Sequence, residues 1–416
     1  RAALPETVAL VGSAPPEASE LPEASELPEA VQAPTATRGP AAPEGGGRAA
    51  GPSPDIAATE VDTTSAEVPS DRPPRAGSRA RGAARTSTDE RARSTETRPA
   101  PPPLVVGKTP GVKGDDTLAE AGRRVLRFHL ARMLAKEDGT RSGNAPEDLH
   151  GMRVATRRMR AAWRVFGSAY RPARTRRYRR DLRYVAARLG AVRDLDVLLE
   201  GLEQYRTGVP NDGDRQALQP LVDSWARRRE DARRLLMSTL DSGPYRRFVD
   251  EYREFVLSDG MAVLPVAPTE PHRVRDSMPS RIWAAYERVR AYEPVLRWAD
   301  VETLHELRIA AKWLRYTIEF VREPLGSDAT PLIERIVALQ DHLGWLHDAD
   351  VAAGLARAYL VEHAADLDDR QTAAIARYLM DRERERQRLR RSIGAPWRRV
   401  SGLGFRRSLA RVVAEL

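Results

Sequence analysis

The chain has 416 residues, 68 of them Lys or Arg and 59 Asp or Glu, which gives a formal charge of +9 at pH 7, and it has no cysteine. Disulfide frameworks, thiolate zinc sites and cysteine nucleophiles are thereby excluded. No run approaches the roughly 18 to 20 apolar residues that a membrane span needs, so the sequence reads as a soluble protein with no membrane partner.

All of the aromatic residues follow residue 110, whereas 18 of the 31 prolines precede residue 111. Residues 1–110 carry 12 basic and 15 acidic side chains, net −3, so 111–416 carries the whole positive excess, net +12. The chain opens on Arg1 rather than Met, as a piece of a longer protein would, and the missing signal peptide carries little weight. Residues 17–30 read EASELPEASELPEA, and Ala, Pro, Gly, Ser and Thr-rich sequence continues to Pro103. Such a segment cannot bury enough apolar surface to offset its conformational entropy. Residues 1–112 are therefore expected to be a disordered Pro/Ala/Glu-rich tail or linker.

From Asp115 onward apolar residues recur three and four apart and strand signals almost vanish, which predicts an all-α domain over 113–416. Helices are expected near 116–137, 146–169, 173–190, 192–206, 214–240, 244–256, 276–292, 301–323, 328–345, 347–364, 367–392 and 404–415. The breaks fall at Gly139–Asn144, Pro172, Gly208–Gly213, Gly243-Pro244, Pro265–Pro271, Pro324–Gly326 and Gly394–Pro396.

The helical part repeats itself. His150, Arg153, Arg157 and Arg160 reappear as His305, Arg308, Lys312 and Arg315, each displaced by 155 residues. Leu189-Gly190 with Arg193, Asp194 and Asp196 recurs as Leu343-Gly344 with His347, Asp348 and Asp350, displaced by 154. Two motifs in one order at nearly one spacing indicate a duplicated unit, the first repeat over about 115–258 and the second over about 273–412. The expected architecture is two four-helix-bundle-like repeats related by pseudo-twofold symmetry.

At 100° per residue, His150, Arg153, Arg157, Arg160 and Arg164 share an arc of about 80° on one helix face. The second copy places His305, Arg308, Lys312 and Arg315 alike, then adds Glu319, a partner for Arg315 at i,i+4. From 150 to 183, with Arg183 at its end, there are twelve arginines and a single acid, Asp181. Like charges a turn apart repel by some tenths of a kcal/mol per pair, so this stretch calls for a polyanionic partner or an acidic face opposite it. A charge run is usually a solvated face, but a solvated face need not repeat a His-x2-Arg-x3-basic-x2-Arg pattern.

The segments LHGMRVATRRMRAAWRVF (149–166) with LRYVAARLGAVRDLDVLL (182–199), and LHELRIAAKWLRYTIEF (304–320) with LQDHLGWLHDADV (339–351), resemble the CHAD domain, the conserved histidine α-helical domain. The resemblance spans about 115–412. It implies two four-helix units and binding of inorganic polyphosphate along a basic, histidine-containing surface or channel, in a cytoplasmic protein associated with polyphosphate granules. It carries the family's histidines onto His150 and His305, and its basic positions onto Arg153, Arg157, Arg160, Arg308, Lys312 and Arg315. CHAD domains often follow a CYTH-type triphosphate-processing domain. Neither alternating strands nor alternating glutamates of that kind occur here, and an upstream CYTH-type domain would lie before Arg1.

Polyphosphate suits the residues. It offers oxygens but no base edges, arginine donates to two of them as a fork, and lysine supplies a point charge. Each histidine equally fits a neutral bundle residue with a backbone or carboxylate partner. Arg158 of the first copy corresponds to Trp313 of the second, which together with Glu319 leads us to expect stronger anion binding by the first half. The pairs Asp194/Asp196 and Asp348/Asp350 point about 200° apart on a helix and cannot chelate one ion from it. Asp194 or Asp348 near a helix start, capping exposed amides, and an arginine partner for the other acid of each pair are expected instead. No Ser/His/Asp triad, Walker loop, H-E-x-x-H helix or EF-hand loop is present, which favours a binding module without cofactor or metal over an enzyme. Two alternatives stay open: a helical protein that binds nucleic acid non-specifically, and an accessory domain of an enzyme that processes polyphosphate or triphosphate.

Overall fold

The computed structural model describes residues 104–143 and 145–416, so the expected disorder of 1–103 lies outside the described residues. Within them the chain is all-α, with isolated bridges but no sheet. The helices are α1 (Leu118–Ala135), α2 (Glu137–Ser142), α3 (Pro146–Phe166), α4 (Pro172–Thr207), α5 (Asp212–Gln216), α6 (Gln219–Asp241), α7 (Gly243–Leu257), α8 (Val274–Arg290), α9 (Val301–Glu319), α10 (Arg322–Leu325), α11 (Ala329–Glu362), α12 (Asp369–Ser392), α13 (Gly394–Ser401) and α14 (Leu403–Val413).

Three expected boundaries change, each for a local reason. The breaks placed after Gly190 and at Leu346 do not occur, and α4 and α11 run through as single helices of 36 and 34 residues. A glycine inside a helix costs only about 0.5–1 kcal/mol relative to alanine, and here apolar packing holds the helix on both sides of it. Conversely, 214–240 is divided: Pro220 lacks an N–H to donate and sits in the first turn of α6, behind the short α5. The expected breaks at 139–144 and 394–396 hold the short helices α2 and α13.

One core draws on both repeats. Leu126 and Leu130 of α1, Met159 and Phe166 of α3, and Leu182 and Leu189 of α4 join Met278 and Ile282 of α8, Leu307 and Leu314 of α9, and Ile336 and Leu339 of α11. A second, smaller core lies beyond the middle of the long helices, where Leu198 and Leu202 of α4 and Trp225 of α6 meet Ala356 and Tyr359 of α11 and Tyr378 of α12. A separate core for each repeat is thus not what forms, because α3 packs on α9 as well as on its own neighbours α1 and α4. The entries to α1 and α8 are tied directly: Leu118 N–H donates to His272 O at 2.8 Å and Val274 N–H to Asp116 O at 2.9 Å.

Residues just ahead of 113 take part in the main core. Val112 is buried in the main core, and the amides of Gly111 and Val112 donate to the Glu323 carboxylate at 2.9 and 2.8 Å.

Candidate anion-binding site

The site is built where α3 and α9 pack together, with α4 and α11 beside them. Of the basic residues that the sequence singles out, Arg153, Arg157, Arg308, Lys312 and Arg315 are buried, although an arc of charge on a helix ordinarily means solvent. His150, Arg160 and His305 are half-buried, and Arg164 and Arg183 are exposed. Burial of this much positive charge requires compensation inside the protein, and acidic side chains supply part of it.

Arg153 donates to Asp194 of α4 at 3.1 Å, with both side chains almost wholly buried. Glu319, expected to serve Arg315, lies 3.6 Å from it and also 3.1 Å from Arg158 on α3. One carboxylate of the second repeat therefore bridges arginines of both. Asp196 pairs with Arg229 of α6 at 2.6 Å, and Asp350 with Arg386 of α12 at 2.7 Å, the arginine partners expected for one acid of each pair. The capping role expected for Asp194 or Asp348 is not found. Both lie in the middle of continuous helices, where the amides are already bonded, and Asp194 instead neutralises a buried arginine.

The charges of the two stripes interact. Burial, together with the neighbouring charges of Arg315, Arg158 and Arg308 and against the pull of Tyr316, lowers Arg157 to about 10. Burial alone would raise the Tyr316 phenol, but Arg157, Arg315 and Arg158 bring it below its ordinary value. On the α4–α11 side, burial pushes the Asp348 carboxyl up to about 7; Arg308, Arg153 and Arg193 oppose this and Asp194 adds to it. His305 meets His347 with ring centroids 5.0 Å apart, and His347 is pushed down to about 3 by burial, Arg308 and His305, so it is neutral.

Beside this buried seam opens a cleft of about 340 Å³ between α3, α4 and α9, lined by Arg157, Arg160, Arg164, Arg179 and Arg183 with Trp163, Trp313 and Tyr316. It gathers four of the expected site residues. Arg153, Arg308, Lys312 and Arg315 belong to the seam, and the two histidines do not line the cleft. Arg179 was not foreseen, although it stands at i,i+4 from Arg183 on one face of α4. The aromatic wall was not foreseen either, because Trp313 and Tyr316 come from the other repeat. Arg164 lies over Trp313 at 4.3 Å and Arg179 over Trp163 at 4.8 Å, so the indole faces are covered by guanidinium groups.

Fold and site together define an all-helical domain that concentrates arginine where α3 packs on α9. The chain belongs to the CHAD domain family, whose model matches residues 124–357. It is similar to the CHAD domain from the plant Ricinus communis, at 22% identity and a TM-score of 0.57, over 74% of this chain and 98% of that one. It is also similar to PptA from Streptomyces chartreusis, at 18% identity and a TM-score of 0.55, over 68% of this chain and all of that one. At these identities the two structures establish the fold. No curated protein matches the sequence. CHAD domains are accessory binding modules rather than catalysts. Among the described residues no group of three or more His, Cys, Asp or Glu is placed to hold a metal ion, and no helix is long and apolar enough to cross a membrane.

Proposed function

We propose that this domain binds inorganic polyphosphate at the α3–α9 junction, through His150, Arg153, Arg157, Arg160, Arg164 and Arg183 of the first repeat and His305, Arg308, Lys312 and Arg315 of the second. The observation that carries the reading is the convergence of the two stripes: α3 packs on α9, Glu319 meets both Arg158 and Arg315, and burial together with the charges of Arg315, Arg158 and Arg308 lowers Arg157. Mutual repulsion of that kind is relieved by an anion that several arginines share. The repeat displacement supports a pseudo-twofold relation between the two four-helix units, with the ligand running along their junction. Such a role suits a cytoplasmic protein at polyphosphate granules, and an upstream CYTH-type domain would supply the processing chemistry that a binding module lacks.

Nucleic acid is the second reading. Single-strand binders stack bases on open aromatic faces, and at this cleft the indoles of Trp163 and Trp313 are covered by Arg179 and Arg164. That favours a ligand of phosphates alone. Equilibrium binding of long-chain polyphosphate to the full chain and to an Arg157→Gln, Arg160→Gln variant tests the proposal: the variant binds at least tenfold more weakly with unchanged helicity, and equal affinity contradicts it.

A further inference from the structure

We infer that the cleft between α3, α4 and α9 is a discrete seat for a short linear oligophosphate, or for the end of a longer one, and that Arg179, Trp163 and Trp313 are parts of it. This rests on the polyphosphate reading and goes beyond it by giving the ligand one end-on site with its own residues.

Charge accounting comes first. Much of the arginine in this protein is matched by its own acids: Arg153 by Asp194, Arg158 and Arg315 by Glu319, Arg229 by Asp196, Arg386 by Asp350. The seam thus carries internal counter-ions. In the cleft, Arg164, Arg179 and Arg183 have no carboxylate in ion-pair contact among the described residues. An anion from outside can therefore pair with them without displacing an internal carboxylate.

Their placement is fixed in advance. Trp163 is buried, and its indole N–H donates to the Tyr252 hydroxyl at 2.9 Å, which makes it a rigid platform. Arg179 stacks on that platform and donates to Gly167 O at 3.1 Å, so one corner of its fork is anchored while other N–H groups remain for a ligand. Arg164 lies over Trp313 at 4.3 Å. A guanidinium held over an indole has less rotamer freedom to lose when an anion binds.

Size and charge then select the ligand. The cleft of about 340 Å³ is at the small end of ligand sites, and five guanidinium groups line it. A terminal phosphate carries about −1.5 to −2 and an internal one about −1, so a short oligophosphate such as tripolyphosphate brings enough charge to engage Arg164, Arg179 and Arg183 together. Orthophosphate brings too few for the span of the cleft, and a nucleotide base finds the indole faces occupied.

At the matching place in the second repeat the seat has no counterpart. At the displacement of 154 that carries Leu189-Gly190 onto Leu343-Gly344, Arg179 and Arg183 fall on Ile333 and Val337, and Trp313 stands where the first copy has Arg158. The duplication has therefore left an arginine wall on α4 and an aromatic wall on α9, a combination with no mate on the other side.

Calorimetric titration of the full chain with sodium tripolyphosphate and with long-chain polyphosphate tests this. Tripolyphosphate is expected to bind one per chain and to change tryptophan emission. Arg179→Gln with Arg183→Gln should lower its affinity at least tenfold. Trp313→Leu should lower it several-fold and Trp313→Phe much less, because phenylalanine retains a face for Arg164, whereas a purely structural role would show instead as loss of thermal stability in both. A stoichiometry of two, or tripolyphosphate affinity unchanged by the α4 double substitution, overturns the seat. Long polyphosphate bound tightly by a chain that ignores tripolyphosphate also overturns the seat and leaves the functional reading standing; failure of both ligands to bind overturns both.

Discussion

Removing the Asp194 carboxylate should cost stability. Arg153 and Asp194 are 3.1 Å apart with side chains 4% and 6% exposed, so Asp194→Ala leaves a guanidinium inside the protein without the carboxylate it donates to. Breaking a buried ion pair from one side typically costs about 3–5 kcal/mol, because desolvation of the remaining charge is no longer offset. Replacing both partners by apolar groups of similar size is often near neutral. Urea unfolding followed by circular dichroism should therefore show Asp194→Ala destabilised by about 3–5 kcal/mol, with most of that recovered in Arg153→Met, Asp194→Leu. A single-variant loss below about 1 kcal/mol, or a double variant less stable than Asp194→Ala, refutes the view that Asp194 is there to neutralise Arg153.

Three other outcomes follow from the geometry. Arg160→Gln with Arg164→Gln should weaken polyphosphate binding more than Lys312→Gln does, since the first pair lines the cleft and Lys312 does not; fluorescence titration reads the difference, and equal losses contradict the expected asymmetry. Deleting residues 1–103 should leave the melting curve in place, whereas deletion through Lys113 removes Val112 from the core and should cost about 1.5–3 kcal/mol, together with the Gly111 and Val112 bonds to Glu323. Asp348 has a folded-state value of about 7, above the ordinary carboxyl value, so its contribution is fully present below the unfolded value near 4 and is lost as pH rises through 7. Asp348→Asn should accordingly gain stability over the parent chain by about 1.4 kcal/mol per pH unit between those limits, and a pH-independent difference in urea midpoints contradicts the burial assigned to it.

Much of this architecture was legible in the sequence, and what was not has a common cause. Periodicity fixed the all-helical class, and self-similarity at displacements of 155 and 154 located the histidines, both basic stripes and the acidic motif on α4 and α11. The i,i+4 rule paired Arg315 with Glu319. What a single helix cannot reveal is what faces it: Arg153, Arg157, Arg308, Lys312 and Arg315 read as a surface arc yet are buried, because each stripe is packed against the helices that carry the other. Glu319 reaches Arg158 across the junction for the same reason. The long helices were broken at Gly190 and near Gly344 by local propensity, and tertiary packing of two successive cores keeps them whole. Arg179 was visible as one of twelve arginines, but its selection depends on Trp163 beneath it.

Competition between polyphosphate and single-stranded DNA of equal charge for the full chain, at several salt concentrations with magnesium present, tests the central claim most directly. Polyphosphate should bind at least about tenfold more tightly, as one extra charge-assisted contact of roughly 1.5–3 kcal/mol provides, and with the steeper salt slope, while no orthophosphate accumulates. Tighter binding of the DNA, or magnesium-dependent release of orthophosphate, would contradict the reading of this domain as a polyphosphate-binding module.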